Sequence, residues 1–87
     1  MKLARVTGTV TATVKAPGLA GKALLLVDVV DASGGIIETA RVAVDATGAG
    51  KGDLCLMIEG SSARLVPSVA GLPIDAALIA IVDRVSV

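Results

Sequence analysis

The sequence predicts an all-β fold: a small, partly open OB-like barrel of five strands with one or two short helical turns. Three observations carry that expectation. Residues 2–15 alternate in character with period two, as in a strand with one buried face. Further strand-length apolar runs follow, separated by clusters of glycine, proline and serine. A chain this rich in aliphatic residues must also avoid open sheet edges, which closure into a barrel removes. All 87 residues fit one domain, spanning 1–87.

In the first strand Ala4, Val6, Gly8, Val10, Ala12 and Val14 share one face. Leu3, Arg5, Thr7, Thr9, Thr11, Thr13 and Lys15 share the other. Gly8 marks a sharp bend, as at a barrel corner. Ala16-Pro17-Gly18 ends the strand, and Leu19-Ala20-Gly21 makes at most one short turn. Ala23 to Val30 is almost unbroken apolar sequence, the pattern of a strand covered on both faces. Ser33-Gly34-Gly35 signals a hairpin, with Ile36 to Val44 as the return strand. Leu54 to Glu59 is the fourth strand. Ser61 or Ser62 is placed to cap a short helix through Ala63, Arg64 and Leu65. Pro67 and Pro73 bracket a loose, mobile connection, and Asp75 is a candidate cap for another single turn. Ala77 to Val87 is the last strand, broken by Asp83 and Arg84.

Composition narrows the function. A domain this small buries only about 60–65% of its unfolded surface. Yet 54% of its residues are hydrophobic and none is aromatic, so the apolar content is Ala, Val, Leu and Ile. A membrane is not the destination expected for this surface, because no uncharged run nears the roughly 18 residues of a span. The longest, Leu65 to Ile74, holds two prolines. Met1-Lys2-Leu3-Ala4-Arg5 leads straight into a strand pattern, so no signal peptide is expected. A subunit interface remains. Eight basic and eight acidic residues balance to zero net charge, without a basic stripe for phosphates or a ring for base stacking. Nucleic acid is therefore not an expected partner. Cys55, the only cysteine, lies in an apolar strand, where burial is expected rather than reactivity.

Chemistry finds little footing. The sequence has no His, and no Ser or Cys stands beside a plausible base, so catalytic residues, metal ligands and cofactors are all expected to be absent. Asp28 and Asp31 point to opposite faces of a strand end and serve to solubilise a turn. Gly48-Ala49-Gly50-Lys51-Gly52-Asp53 imitates a phosphate loop but fails its tests. The third glycine comes one residue early for the dinucleotide fingerprint, and Lys51 precedes glycine instead of Ser or Thr. Three alternating glycines between strands describe a tight backbone crossing, either within one subunit or against a neighbour.

Several motifs in order resemble the pentameric vertex proteins of bacterial microcompartment shells, the EutN/CcmL family. These are Gly8-Thr9-Val10 with Thr13 and Lys15, then Leu19-x-Gly21-Lys22-x-Leu24-Leu25, then Asp45 with Gly48-Ala49-Gly50-x-Gly52-Asp53. Gly60-Ser61-Ser62-Ala63-Arg64 and Pro73-x-Asp75-Ala76-Ala77 with Ile81-Val82-Asp83 complete the set, so the likeness runs end to end. It implies a non-enzymatic homopentamer that closes the five-fold corners of a shell in the bacterial cytoplasm, with hexameric shell tiles as partners. It further implies an intersubunit or axis-lining role for Gly48, Ala49, Gly50 and Gly52. Arg64 becomes a candidate for an ion pair with Asp45 or Asp75, within or between subunits. Thr13 and Lys15 become candidates to ring a narrow axial opening. The competing reading is a monomeric or dimeric OB-like domain that binds a small ligand or an oligonucleotide.

Overall fold

Five strands close on themselves in the order β1-β2-β3-β5-β4, in a computed structural model describing residues 1–87. They are β1 (Lys2–Val10), β2 (Ala23–Val30), β3 (Ile36–Asp45), β4 (Leu54–Glu59) and β5 (Ala76–Ile81). All pairings are antiparallel except β3 with β5. The barrel is closed, not partly open, because β4 pairs with β1 from Lys2↔Met57 to Arg5↔Leu54. Two 3₁₀ segments, η1 (Gly60–Leu65) and η2 (Pro67–Val69), separate β4 from β5.

The interior is aliphatic. Ala4, Val6, Leu25, Val27, Val29, Ala43, Cys55, Met57, Ala76 and Leu78 form one buried cluster. Met57 and Leu78 are its largest fully buried members. Burial pushes the Cys55 thiol above its ordinary range, as expected of an inert core cysteine.

Four expectations need correction. β1 stops at Val10 instead of Lys15: its last rung is Val10↔Leu24, one residue short of the start of β2 at Ala23. Within β1 a bulge between Val6 and Gly8 inverts the alternation: Val6 pairs with core Val27, Gly8 with half-buried Leu26. Gly8 and Val10 thus face away from Ala4 and Val6. β2 is covered on one face only within the chain, since Leu24 and Leu26 remain half-buried. β5 spans Ala76–Ile81 and not Ala77 to Val87; past Ile81 only the Val82 N–H bonds to Leu54, where β4 begins (2.7 Å).

The connections are firmer than their composition suggests. The Asp31 carboxylate accepts from Ser33 N, Ser33 Oγ and Gly35 N at 2.8–3.0 Å, so it builds the β2–β3 turn. Ser33 and Gly35, as donors, hold its carboxyl below the ordinary range. Residues 66–74, expected to be loose, contain η2, bury Val69 and are tied to the 11–22 segment. Lys22 Nζ donates to Ser68 O (2.7 Å), and at Gly18 (φ +91°) a Cβ would lie 2.6 Å from Leu72. Neither serine caps η1, whose N-cap is Glu59; Ser62 Oγ instead donates to Glu59 O (2.8 Å). Asp75 heads no turn and leads directly into β5.

Candidate assembly surfaces

The glycine loop closes one end of the barrel, running from β3 to β4. Asp45 at its root accepts from Thr47 N (2.9 Å), Thr47 Oγ1 (2.7 Å) and Ala49 N (2.7 Å). Ala49 packs against the core. Further on, Gly50 N donates to Asp53 Oδ2 (2.8 Å), Asp53 N to Gly50 O (3.0 Å) and Gly52 N to Val6 O (2.8 Å). Arg5 Nη1 reaches Gly52 O at 3.0 Å. Because the loop's own aspartates and nearby backbone carbonyls engage these N–H groups, few donors remain to cradle an anion, and the phosphate-loop likeness has no chemical content. The glycines differ in their reasons. Gly48 and Gly52 sit at φ +80° and +94°, where a side chain is strained. Gly50 has no positive φ, and a Cβ on it would meet nothing within 4 Å.

The other end of the barrel is charged, which the sequence reading missed. Lys2 Nζ meets Glu59 Oε1 at 2.8 Å, and Arg41 Nη1 meets Glu59 Oε2 at 2.7 Å and Glu38 Oε1 at 2.8 Å. Register explains the convergence. Lys2 pairs with buried Met57, Arg41 with buried Val27 and Glu59 with buried Ala76, so all three sit on inward-facing rungs at the rim. The Lys2 ammonium, then the Arg41 guanidinium, hold the Glu59 carboxyl below its usual range. Glu38 and Glu59 in turn raise Arg41. The signal was legible as parity: Lys2 falls in step with Ala4, Arg41 with Ala43, and Glu59 with Met57.

Arg64 makes no ion pair within the chain; its Nη1 donates to Ile74 O (3.1 Å), one residue before Asp75. Asp45 is occupied by the loop it organises. Thr13 and Lys15 lie in the exposed 11–22 segment, where Lys15 Nζ donates to Ala12 O (2.6 Å). No hydrogen bond or ion pair links these two to Arg64 or to the glycine loop inside one subunit.

Outside the barrel, two sets of rungs carry aliphatic side chains. On β2–β3 the rungs are Val10–Leu24–Val44 and Gly8–Leu26–Val42; Val44 is buried, Val10, Leu24 and Leu26 are half-buried, and Val42 is 45% exposed. On β1–β4–β5 the rung Leu3–Leu56–Ala80 is half-buried, and Ile58 and Ile79 continue it into a depression also lined by Met1, Leu65 and Val66. An OB-type barrel presents its β2–β3 face to oligonucleotides; here that face offers aliphatic residues that neither stack on a base nor neutralise a phosphate.

A closed barrel with partly exposed aliphatic outer rungs is a small module suited to packing against other chains. Its family can be stated as well: residues 1–83 match the family described as ethanolamine utilisation protein EutN/carboxysome, and the chain belongs to it. The chain is 50% identical over 90 residues to the bacterial microcompartment shell vertex protein PduN of Salmonella typhimurium, covering 99% of each. Its fold superposes on CcmL of Nostoc sp. PCC 7120 with a TM-score of 0.93 at 41% identity, covering 100% of this chain and 92% of that one. Against GrpN, a pentameric microcompartment shell protein from Rhodospirillum rubrum, the TM-score is 0.90 at 38% identity, with 100% and 99% covered. These relatives are named as shell proteins, PduN as a shell vertex protein and GrpN as a pentameric shell protein.

Proposed function

We propose that five copies of this chain form a ring that closes the vertices of a polyhedral microcompartment shell in the bacterial cytoplasm, flanked by hexameric shell tiles. One observation carries the proposal: the subunit is complete inside and incomplete outside. Its core is aliphatic and buried, yet only 15 of 87 residues are buried, and several aliphatic side chains outside it, Val42 and Ile81 among them, stay exposed. The full-length likeness to a pentameric shell protein supports five as the number of copies. A sheet of hexagonal tiles is flat, and a closed surface requires five-fold units at its corners.

In the ring, the Gly48–Gly52 loop is assigned to a subunit boundary or the axis, where Gly50 admits a neighbour's close approach. Arg64, unpaired in its own chain, is assigned to a carboxylate of the adjacent copy, Asp45 or Asp75. Thr13 and Lys15, both exposed, are assigned to the axial opening. Native mass spectrometry tests the ring: a species five times the 8.5 kDa chain is expected, and a stable monomer would refute it. Co-expression with hexameric tiles tests the vertex role. Closed shells should form only when this chain is present, with elongated or open assemblies in its absence.

A further inference from the structure

Lys22 is half-buried and forms no ion pair. Taking an ammonium partly out of water costs free energy that a nearby anion would offset. Its Nζ donates to Ser68 O (2.7 Å), which uses one of its three N–H donors and leaves the charge unbalanced. The ring proposed above gives this side chain no task.

Lys22 lies on the wall of a cavity of about 290 Å³, where β1 ends and β2 begins. Lys15 shares that wall, and its Nζ donates to Ala12 O (2.6 Å), again without an ion pair. The threonine hydroxyls bonded within the chain are those of Thr7 and Thr47; those of Thr9 and Thr11, which line the cavity, are free. The N–H groups of Lys15 and Gly21 are uncommitted as well.

The other three cavities differ. The depression beside Ile58 includes Glu59, and the hollow between Leu19 and Pro73 includes Asp75. The one beside the β2–β3 turn has Arg5 and Arg84, but together with Asp31, Asp53 and Asp83. Cations without an acid are particular to the Lys22 cavity.

That donor set selects a ligand. Two ammonium groups and two hydroxyls around one hollow match an anion with two charges and several oxygens, as a phosphoryl group has. Val10, Ala23 and Leu24 line the same cavity and suit a short carbon chain beside the anion. Its volume is at the lower limit of ligand sites, about 300 Å³, which is too small for a nucleotide. Nor does the chain hold an aromatic ring to stack on a base. We propose that this cavity binds a phosphoryl dianion, free or carried by a small organic ester. Lys22 is the anchor, Lys15 the second cation, and the Thr9 and Thr11 hydroxyls complete the donor set. One chain builds the whole site, so it stands or falls apart from the ring.

Amide NMR of the isotope-labelled chain, in whatever oligomeric state it holds, tests the site at constant ionic strength. Inorganic phosphate and glycerol phosphate should each give saturable shifts at Thr9, Gly21 and Lys22, with half-saturation below about 1 mM. Neutral glycerol should give none. Tighter binding of glycerol phosphate identifies an organic ester as the occupant, and equal binding identifies phosphate itself. Lys22→Ala should weaken binding about tenfold or more, and Lys15→Ala about fivefold. Lys51 is also without an ion pair but lies in the glycine loop, so Lys51→Ala should change affinity less than about twofold. If Lys22→Ala loses its fold by circular dichroism, Lys22→Gln carries the test, because an amide can donate to Ser68 O without the charge. Shifts that fail to saturate by about 10 mM would overturn the proposal. So would a Lys51 variant that weakens binding as much as the Lys22 variant does.

Discussion

The two ends of the barrel are closed by opposite chemistry. At the glycine-loop end, carboxylates accept from backbone N–H groups, and Ala49 plugs the core behind them. At the other rim, side chains pair with side chains: Lys2, Arg41, Glu59 and Glu38 form a chain of ion pairs in partial contact with water. The first arrangement fixes main chain and leaves little freedom. The second is made of flexible arms whose attraction is screened by salt and removed by acid. One end is therefore structural in the strict sense, and the other is adjustable. A subunit whose boundary must match its neighbours gains most from the rigid end.

Asp45→Ala should break this contrast most severely. It removes the acceptor of three hydrogen bonds at the loop root, so a loss of about 2–3 kcal/mol is expected. Urea denaturation at fixed protein concentration reads it, and a change below about 0.5 kcal/mol would mean the loop is held by other forces. Gly52→Ala comes next, at about 1–2 kcal/mol, from the left-handed backbone alone. Gly50→Ala is its control: near-neutral for folding of the lone subunit, so any larger loss on assembly reports a neighbour.

Near the charged end, Ala40 holds φ +59° at a bulge in β3, with its N–H bonded to Asp28 Oδ1 (3.2 Å). Ala40→Gly should stabilise the chain by about 1 kcal/mol, read as a higher urea midpoint. Smallest is the effect of Glu59→Gln, visible at low salt and fading as salt is added. Its pH dependence has a definite sign. The folded Glu59 carboxyl is depressed, so its contribution is full above the ordinary value of 4.5 and disappears as pH falls through the folded value. Wild type and variant should differ above that window and converge below it. A difference that persisted in strong acid would show that the ion pairs are not its source.

Much of the fold was legible because strands of this length announce themselves. The bounds of β2 and β4 coincide with the apolar runs Ala23–Val30 and Leu54–Glu59, and β3 with Ile36 onward to within one residue. Misreadings arose where pairing overrode pattern. Thr11 to Lys15 alternates as well as the residues before it, but beyond Val10↔Leu24 only Ala23 of β2 remains to pair with it. The bulge at Thr7 reverses the face of everything after it, which no periodicity within β1 discloses. Of the candidate site, Asp45 and the glycine loop were visible as a motif, though not the division of labour among the glycines. Gly50 and Gly52 look alike in sequence, both have open space where a Cβ would sit, and they differ in backbone angle.

The inward parity of the rim residues was legible, but their convergence was hidden for a related reason. Lys2, Arg41 and Glu59 are far apart in sequence and acquire a common address only when three strands fix their registers. Local sequence determined the elements, the aliphatic surplus and the need for partners, because alternation and composition act residue by residue. Tertiary structure alone decided which side chains face inward, which glycines serve the subunit and which face outward unexplained. Those properties depend on closure of the barrel, a relation between strands that no single segment contains.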